Sequence, residues 1–485
     1  MSEIRVRMYK ELLGDCFLLT FGDNQAHMLI DCGLIVGAKG SKQKMREVAD
    51  NIRQTTGDRL DVLVATHEHW DHLSGFLQAR EVFEQVQIDN VWLAWTEDPN
   101  NEVAKGLRRK RRQKVRALEM AFERLHALGT QKAARLAGHV EGLLGFFGRE
   151  PGAASLGAAP GGTTEEAIEW LAQRPGATLR YCQPGGKPLA VKGIEDVRIY
   201  VLGPPQDPQF IKQDLPSKLD PETYELTIAG GLEQAFLAAV QARRVKLERL
   251  SAEERDQVQR SQPFDQSCQT STARARRMRF FREHYGFGDA PKDPQAWRRI
   301  EDDWLGVAGQ LALDLDSDTN NTSLVLAIEL VSSGKVLLFA ADAQVGNWLS
   351  WEKLSWSVPG DGGTVTKVTA TDLLQRAVLY KVGHHGSHNA TLREKGLELM
   401  TSPELVAMIP VVEKMARQKG WERMPFQPLL RRLQEKAHGR IVRGDEKLDA
   451  SQSGWRGFRK QVSEGPRGLY VDYTVGQAHG LSQPH

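Results

Sequence analysis

The sequence predicts an α/β protein, an αββα sandwich in which two β-rich halves are each flanked by helices. Short apolar runs alternate with helical patterns along the chain, which is typical of mixed α/β folds. These runs form an early and a late group, and two long helical segments interrupt them as insertions. No internal repeat stands out. We expect the functional rim of such a sandwich to lie where the strands end.

The early half begins with paired strands and ends close to a polar cluster. The predicted strands are residues 4–9, 16–21, 28–30, 60–65 and 91–95, with a helix over 48–55. A charged helical pattern then covers residues 99–129. A Gly/Ala-rich loop follows over 148–162, and the Thr163–Glu166 run has the form of a capping box at the start of a helix.

In the late half, strands follow the first helical insertion and resume after a second one. The predicted strands are residues 178–182, 189–191, 197–202, 323–330, 336–340, 378–382, 405–409 and 468–475, with an amphipathic helix over 428–437. Residues 207–310, between the third and fourth of these strands, are rich in Gln, Arg and Glu and poor in β-branched residues, so they are predicted to be helical.

Composition indicates a soluble globular protein of 485 residues, with 40% hydrophobic and 26% charged residues. The formal charge of +2 favours no class of partner. No apolar run is long enough to cross a membrane, and the N-terminus does not resemble a signal peptide. The 4 cysteines are widely spaced, which favours reduced, buried thiols. We therefore expect a cytoplasmic protein.

The most informative cluster is His67, His69, Asp71 and His72, which directly follows the apolar strand 60–65. Imidazole nitrogen and carboxylate oxygen are ligands that zinc, manganese and iron accept. Four such side chains in six positions, without apolar periodicity to explain them, predict a metal site. The competing interpretation is a polar turn whose histidines face solvent.

The pattern His-x-His-x-Asp-His after a strand resembles the signature of the metallo-β-lactamase superfamily. The Asp31-x-Gly33 element, the strand before Asp342 and the His384-His385-Gly386-Ser387 element are similar to further motifs of that superfamily. Residues 321–326 (Asn-x-Ser-Leu-Val-Leu) and 420–445 most resemble the hydrolase domain of competence (DNA-uptake channel) proteins, although no channel accompanies it here.

The resemblance divides the chain into a hydrolase domain and its insertions. The hydrolase domain would comprise residues 1–96, 177–206 and 310–475. A basic helical insertion would occupy 97–176 and a second helical insertion 207–309, with a C-terminal tail over 476–485.

The resemblance also implies roles for individual residues. His67 and His69 would bind a first metal, Asp71, His72 and His385 a second, and Asp342 would bridge the two. Asp31 would orient ligands through hydrogen bonds. The candidate catalytic residues are Asp31, Asp71 and His384. One or two divalent ions, Zn or Mn, would activate a hydroxide.

One departure from the family pattern concerns the first site. The family supplies a third histidine from a strand between the His-rich loop and the bridging aspartate. The histidines available there are His126, His139 and His284, and all three lie in helical segments. Either an insertion donates a ligand, or two histidines, Asp342 and water hold the first metal.

Candidate substrate contacts are Ser387, Asn321 and a basic run at residues 105–116 that includes Lys110 and Arg111. The run would bind the phosphates of a substrate electrostatically. Alternatively, it would be a solvated helix that pairs with acidic residues elsewhere in the chain. His384 would bind a substrate phosphate or donate a proton, and the competing interpretation is a histidine hydrogen-bonded to backbone. Ser387 would either contact the substrate or only cap the helix that follows it.

Three functional classes follow from these features. The leading one is a metal-dependent phosphodiesterase or nuclease acting on DNA or RNA. The second is a hydrolase of a small molecule: a lactone, thioester, β-lactam or cyclic nucleotide. The third is a partner-activated module with a weak metal site, whose helical insertions bind another protein. No membrane association is expected.

Overall fold

The computed structural model describes residues 3–22, 25–128, 131–151, 156–158, 162–212, 270, 272–285, 306–360, 364–421, 423–448 and 457–476. The chain divides into two compact units. The first comprises Met1–Arg109, Gly145–Thr227 and Asp316–His485, and the second Lys110–Leu144 and Ile228–Leu315. The first unit holds the strands. Most of the predicted insertion 207–309 and nearly all of the tail 476–485 lie outside the described residues.

The strands of the described residues are, in chain order, β1 (Ile4–Tyr9), β2 (Cys16–Phe21), β3 (Ala26–Cys32), β4 (Arg59–Leu60), β5 (Val62–Ala65), β6 (Gln87–Ile88), β7 (Asn90–Ala94), β8 (Arg149–Pro151), β9 (Leu156–Ala158), β10 (Thr178–Cys182), β11 (Leu189–Val191), β12 (Ile194–Gly203), β13 (Val325–Leu330), β14 (Lys335–Phe339), β15 (Ser355–Pro359), β16 (Val365–Thr369), β17 (Ala377–Lys381), β18 (Val406–Ile409), β19 (Ile441–Arg443), β20 (Val462–Glu464) and β21 (Tyr470–Val475).

The helices are α1 (Ser41–Thr56), α2 (Trp70–Gln78), α3 (Arg80–Phe83), α4 (Glu102–Leu128), α5 (Gln131–Leu144), α6 (Thr164–Ala172), α7 (Pro208–Ile211), α8 (Thr272–Ala275), α9 (Arg279–Tyr285), α10 (Gly306–Asn320), α11 (Val345–Leu349), α12 (Ala370–Gln375), α13 (Glu413–Gln418) and α14 (Gln427–Lys436).

Two large sheets form the expected sandwich. An eight-stranded sheet has the order β10-β7-β5-β3-β2-β1-β21-β20, and a seven-stranded sheet the order β11-β12-β13-β14-β17-β18-β19. Their inner faces share one buried cluster, in which Phe17 and Ile30 of the first sheet join Ile328 and Phe339 of the second. The ring centroids of Phe17 and Phe339 lie 5.6 Å apart. Burial of these apolar side chains is the main term that stabilises the sandwich.

The functional rim forms where parallel strands end. β3 pairs with β5 in parallel, with Leu29 opposite Leu63, and β14 pairs with β17 in parallel in the other sheet. The carboxyl ends of each pair of parallel strands therefore lie at the same edge of the sheet. The backbone N–H of Leu324 donates to the carbonyl oxygen of Thr66 at 2.8 Å, which joins the two sheets at this edge.

Several local predictions are confirmed, and two are corrected. α6 begins with the capping box, in which Thr163 and Glu166 exchange hydrogen bonds. Helix α1 begins seven residues before the predicted start, because Gly40 at its N-cap offers no side-chain signal. The Gly/Ala-rich segment 148–162, predicted to be a loop, contains the β8–β9 hairpin.

Apart from the β8–β9 hairpin, the regular secondary structure in the described part of the insertions is helical. The basic run lies on α4, whose first eight residues belong to the first unit and the remainder to the second. Likewise α10 ends in the first unit, from Asp316 to Asn320. None of the helices that the structure describes combines the length and apolar character needed to cross a lipid bilayer.

Candidate metal centre

The His-rich loop connects β5 to α2 and packs tightly on the end of β3. A Cβ atom on Gly33 would lie 2.1 Å from the backbone carbonyl of Asp71, so only glycine fits there. The N–H of Asp15 also donates to the Asp71 carbonyl oxygen at 3.0 Å. His67, His69, Asp71 and His72 are consequently all buried at the rim. Local sequence and close backbone packing together fix the loop.

His72 is held between two carboxylates. Its Nδ1 lies 2.7 Å from Oδ2 of Asp31, and its Nε2 lies 3.1 Å from Oδ2 of Asp342. Thr66 holds the Asp31 carboxylate in place through its backbone N–H at 2.8 Å and its hydroxyl at 2.6 Å. Asp31 therefore directs Nε2 of His72 towards Asp342.

Four side chains converge on what we call the second site, defined as Asp71, His72, Asp342 and His385. Their ligand atoms all lie within 4.8 Å of one another, and all four residues are buried. Nε2 of His385 is 2.9 Å from Oδ2 of Asp71, whereas its Nδ1 lies 2.8 Å from the carbonyl oxygen of Pro410. Each imidazole thus has one nitrogen occupied by a protein acceptor and the other directed into the cluster.

His67 and His69 form what we call the first site. Nε2 of His67 lies 3.1 Å from Nδ1 of His69, and Nδ1 of His67 lies 3.1 Å from the hydroxyl of Thr66. The rings of Phe146 and Phe147 flank His69 with centroids 5.2 and 5.1 Å away. Burial lowers the pKa of His67 well below its usual value and that of His69 to about 3. Neutral imidazole is the form that binds metals.

Asp342 follows β14 on a strained turn and is surrounded by donors. Ala341 adopts a positive φ of 47°, and the hydroxyl of Ser323 accepts from the N–H of Asp342 at 3.2 Å. The N–H of His384 donates to Oδ1 of Asp342 at 3.1 Å. The Lys381 ammonium lies 3.4 Å from the same oxygen. Oδ2 is consequently the oxygen of Asp342 that faces the second site.

Opposite charges dominate the electrostatics of the second site. Burial alone would lower the pKa of His72, but Asp342, Asp15 and Asp31 outweigh it and raise the pKa well above its ordinary value. Burial likewise opposes ionisation of Asp342, yet His72 and Lys381 hold its pKa well below the usual range. The carboxylates of Asp71 and Asp342 are therefore ionised.

The donor atoms of the cluster fit a divalent metal. Oδ1 of Asp71 has no hydrogen-bond partner among the described residues, and Nε2 of His72 and Oδ2 of Asp342 have only their mutual ion pair at 3.1 Å. Unpaired buried polar atoms are unfavourable unless a ligand completes them. Imidazole and carboxylate together suit zinc, manganese or iron. His67 and His69 offer a further pair of nitrogens beside them.

The remaining candidate residues near the centre are Asn321, Ser387 and His384, and they differ in burial and in their hydrogen bonds. Asn321 is fully buried, and its amide oxygen accepts from the N–H groups of Gln344 and Asn347 at 3.2 and 3.1 Å. It therefore fixes the segment that follows Asp342. The half-buried Ser387 donates to Asn389 at 3.1 Å. His384 is buried at the rim, and its Nδ1 has no hydrogen-bond partner among the described residues.

The basic run does not present a uniform charged surface. Lys110 is exposed, whereas Arg111 and Lys114 are buried at 8% and 6% exposure. All three belong to the second unit, as do the candidate third ligands His126, His139 and His284. The two metal-ligating groups found among the described residues contain none of these three histidines.

Three residues of the centre carried no sequence prediction: Asp15, Lys381 and Asp316. Lys381 is 1% exposed, and its ammonium contacts the Asp15 carboxylate and the carbonyl oxygen of Ala341. A lysine at the end of the apolar run 377–381 was the signal that could have identified it. Oδ1 of Asp316 lies 3.9 Å from Nε2 of His69. Burial, with Asp71 and Asp342 nearby, raises the pKa of Asp316 well above its ordinary value.

Comparison with known families supports this geometry over the early half of the chain. The family model for the metallo-beta-lactamase superfamily matches residues 9–89, which include Asp15, Asp31 and the whole His-rich loop. No curated protein matches the chain. The match and the αββα sandwich together support a metal-dependent hydrolase.

Proposed function

We propose that this protein is a metal-dependent phosphodiesterase that cleaves DNA or RNA. The observation that carries the proposal is the convergence of Asp71, His72, Asp342 and His385, whose ligand atoms all lie within 4.8 Å of one another. Divalent ions, when bound, would lower the pKa of a coordinated water and neutralise charge developing on a phosphoryl oxygen. His67, His69, Asp71, His72, Asp342 and His385 would hold them.

The polynucleotide substrate class is supported by resemblance and by charge. The His384-His385-Gly386-Ser387 element and the run 321–326 resemble the hydrolase domain of competence proteins, whose role is in DNA uptake. The α4 helix contributes exposed cations, such as Lys110, that suit a phosphate backbone. These features favour a nuclease over a general esterase.

His384 would act as a hydrogen-bond donor to the substrate rather than as a general acid. Burial lowers its pKa to about 4, so the imidazole is neutral near pH 7. An efficient general acid has a pKa near the working pH. A neutral imidazole can still donate one N–H to a phosphate oxygen, and Asp342 fixes the backbone of His384 through its N–H.

The test is a cleavage screen on metal-defined protein. Purified chain would be stripped with chelator, reloaded with Mn²⁺ or Zn²⁺, and incubated with plasmid, single-stranded DNA and RNA. We expect cleavage that requires metal and is lost in His69→Ala and Asp342→Ala. Asp89→Asn, which alters an exposed ion pair with Arg59, should keep full activity. If metal-loaded protein leaves all three polymers intact, the nuclease proposal is wrong.

A small-molecule hydrolase is the second candidate, and one observation favours it. Phe146 stacks on the half-buried Trp421 with ring centroids 5.1 Å apart and planes 10° apart, and Phe146 also contacts His69. An aromatic wall beside the first site would bind the apolar part of a lactone, thioester or similar ester. Hydrolysis of an ester reporter without polymer cleavage would favour this candidate. Metal binding without either activity would favour a partner-activated module.

A further inference from the structure

A short segment of the second unit, residues 274–285, concentrates positive charge. It comprises the end of α8 and the whole of α9, and we call it the arginine segment. It contains one acidic residue, Glu283, which pairs with Arg279 at 2.7 Å. Five arginines fall in nine of its positions: Arg274, Arg276, Arg277, Arg279 and Arg282.

Three of these arginines present exposed charge. Arg276, Arg277 and Arg282 are exposed, and within the described part of the chain their guanidinium groups make no ion pair or hydrogen bond. The exposed Arg80 and Arg417 of the first unit, by contrast, each pair with a glutamate four residues away. A group of unpaired cations favours a partner that carries several negative charges, because each cation then gains an opposite charge.

Apolar side chains lie among these charges. Phe280 is 55% exposed and Met278 is 40% exposed. Among the large hydrophobic residues that are exposed in the described ranges, Phe280 is the only aromatic one. A phenylalanine ring in water forgoes the stabilisation that burial in a core provides, and exposed apolar side chains that lie together are typical of an interaction site. The segment therefore offers a ring as well as positive charge.

Contacts along α9 hold the Phe280 ring in place. Its centroid lies 5.3 Å from that of Phe281, with the two rings nearly perpendicular at 85°. The ring of His284 lies on the next turn, with its centroid 4.9 Å from that of Phe280. Edge-to-face aromatic pairs are favourable. Because the ring is already ordered, it loses less conformational freedom when a ligand stacks on it.

We propose that the arginine segment binds single-stranded nucleic acid, with Phe280 stacked on an unpaired base and the exposed arginines on phosphates. This inference rests on the proposed function, since it names the form in which the polynucleotide substrate is held. Aromatic rings that stack on bases, beside cations that contact the backbone, are the usual elements of single-strand recognition. In a duplex the bases are stacked on one another, so only the arginines would contribute. An acidic protein or an anionic bilayer offers charge without flat bases.

The test of stacking measures binding without metal, so it does not depend on catalysis. Full-length protein in chelator would be titrated into fluorescein-labelled single-stranded DNA, single-stranded RNA and duplex DNA while anisotropy is followed. Phe280→Ala and Phe280→Leu should bind the single strands at least about 5-fold more weakly, with duplex affinity unchanged. Phe280→Trp should bind at least as tightly as wild type. All three variants should unfold at the wild-type temperature, because the side chain is exposed.

The salt dependence of the affinity tests the arginines. Each phosphate contact on a single strand contributes about 0.7 to the slope of log affinity against log salt, so replacing Arg276, Arg277 and Arg282 together by glutamine should reduce the slope by about 2. The control removes three exposed positive charges from the first unit and should keep the wild-type slope: Lys187→Gln, Lys192→Gln and Lys367→Gln.

Three outcomes would contradict this proposal or the proposed function, and they are distinguishable. Unchanged single-strand affinity in Phe280→Ala, with an unchanged salt slope in the triple arginine variant, would overturn the inference and leave the proposed function in place. Wild type that binds phosphatidylglycerol vesicles but no oligonucleotide would also overturn the inference. Wild type that binds single strands through Phe280 but cleaves no polymer when loaded with metal would overturn the proposed function instead.

Discussion

Oδ2 of Asp31 lies 2.7 Å from Nδ1 of His72, on the side of the imidazole opposite the nitrogen that faces Asp342. This carboxylate fixes the tautomer of His72, because a proton on Nδ1 leaves Nε2 with a free lone pair. Carboxylate–histidine pairs of this kind orient metal ligands and raise their basicity. The end of β3 therefore acts on the candidate metal site through His72.

Asp31→Asn should weaken metal binding without unfolding the protein. The amide keeps the shape of the carboxylate but loses the charge that stabilises the Nδ1 proton. We expect second-site affinity to fall by about 10–100-fold, the usual effect of losing such a partner, as measured by competition with a chromophoric chelator. Asp89→Asn should bind metal like wild type. Equal affinities in all three proteins would contradict the role of Asp31.

Gly33→Ala should displace the His-rich loop. The added Cβ would meet the Asp71 backbone at 2.1 Å, and backbone atoms cannot move away as a flexible side chain can. We expect a loss of roughly 2–4 kcal/mol in the free energy of unfolding, at or above the usual range for overpacking, and weaker metal binding. Gly106→Ala on α4, where nothing lies within 4 Å of the new Cβ, should be neutral or stabilising by up to about 1 kcal/mol. Denaturant titration measures both.

Lys381 and Asp15 should be strongly coupled in the metal-free protein. Lys381→Met leaves the Asp15 and Asp342 carboxylates buried without their ammonium partner, which should destabilise the fold by about 3–5 kcal/mol. Adding Asp15→Asn removes one of the unpaired charges, so the double variant should be less destabilised than the sum of the single variants. A coupling free energy of at least about 1 kcal/mol is expected from a double-mutant cycle. Strict additivity would show that the pair does not interact.

The interaction of Glu398 with Arg432 should stabilise the fold at neutral pH but not in acid. Its hydrogen bonds with Arg432, at 2.6 and 2.5 Å, hold the pKa of the carboxyl below its ordinary value. Since the folded pKa is depressed, the contribution is fully present above the unfolded pKa near 4.5 and disappears as pH falls through the folded pKa. The free energy of unfolding of wild type should exceed that of Glu398→Gln by about 0.5–1 kcal/mol at pH 7, and the difference should shrink as the pH falls below 4.5.

The control for this prediction is the other carboxylate on the same arginine. Glu435 makes a single hydrogen bond to Arg432 at 2.7 Å and is largely exposed. Glu435→Gln should therefore change the free energy of unfolding by less than Glu398→Gln at pH 7. A difference between wild type and Glu398→Gln that stays constant from pH 7 to pH 3 would contradict the assignment.

The αββα sandwich and the local part of the centre could be predicted from the amino-acid sequence alone. The fold followed from apolar runs that alternate with helical patterns, because strand and helix periodicities are local properties of the chain. His67, His69, Asp71 and His72 were identifiable because one short turn after a strand holds them at fixed spacing. Asp342 and His385 were predicted as ligands because the segments that contain them resemble later motifs of the metallo-β-lactamase superfamily.

The distant charged residues that complete the centre could not be predicted without the folded structure. Asp316 lies on a helix with aspartates at positions 314, 316 and 318, and nothing in that pattern distinguishes the buried one facing His69 from its neighbours. Lys381 and Asp15 are more than 360 residues apart, so no spacing relates them. The burial of Arg111 within a basic run could not be predicted from the sequence either. Burial and charge pairing depend on which surfaces the fold brings together, and that is a property of the packed chain rather than of any local segment.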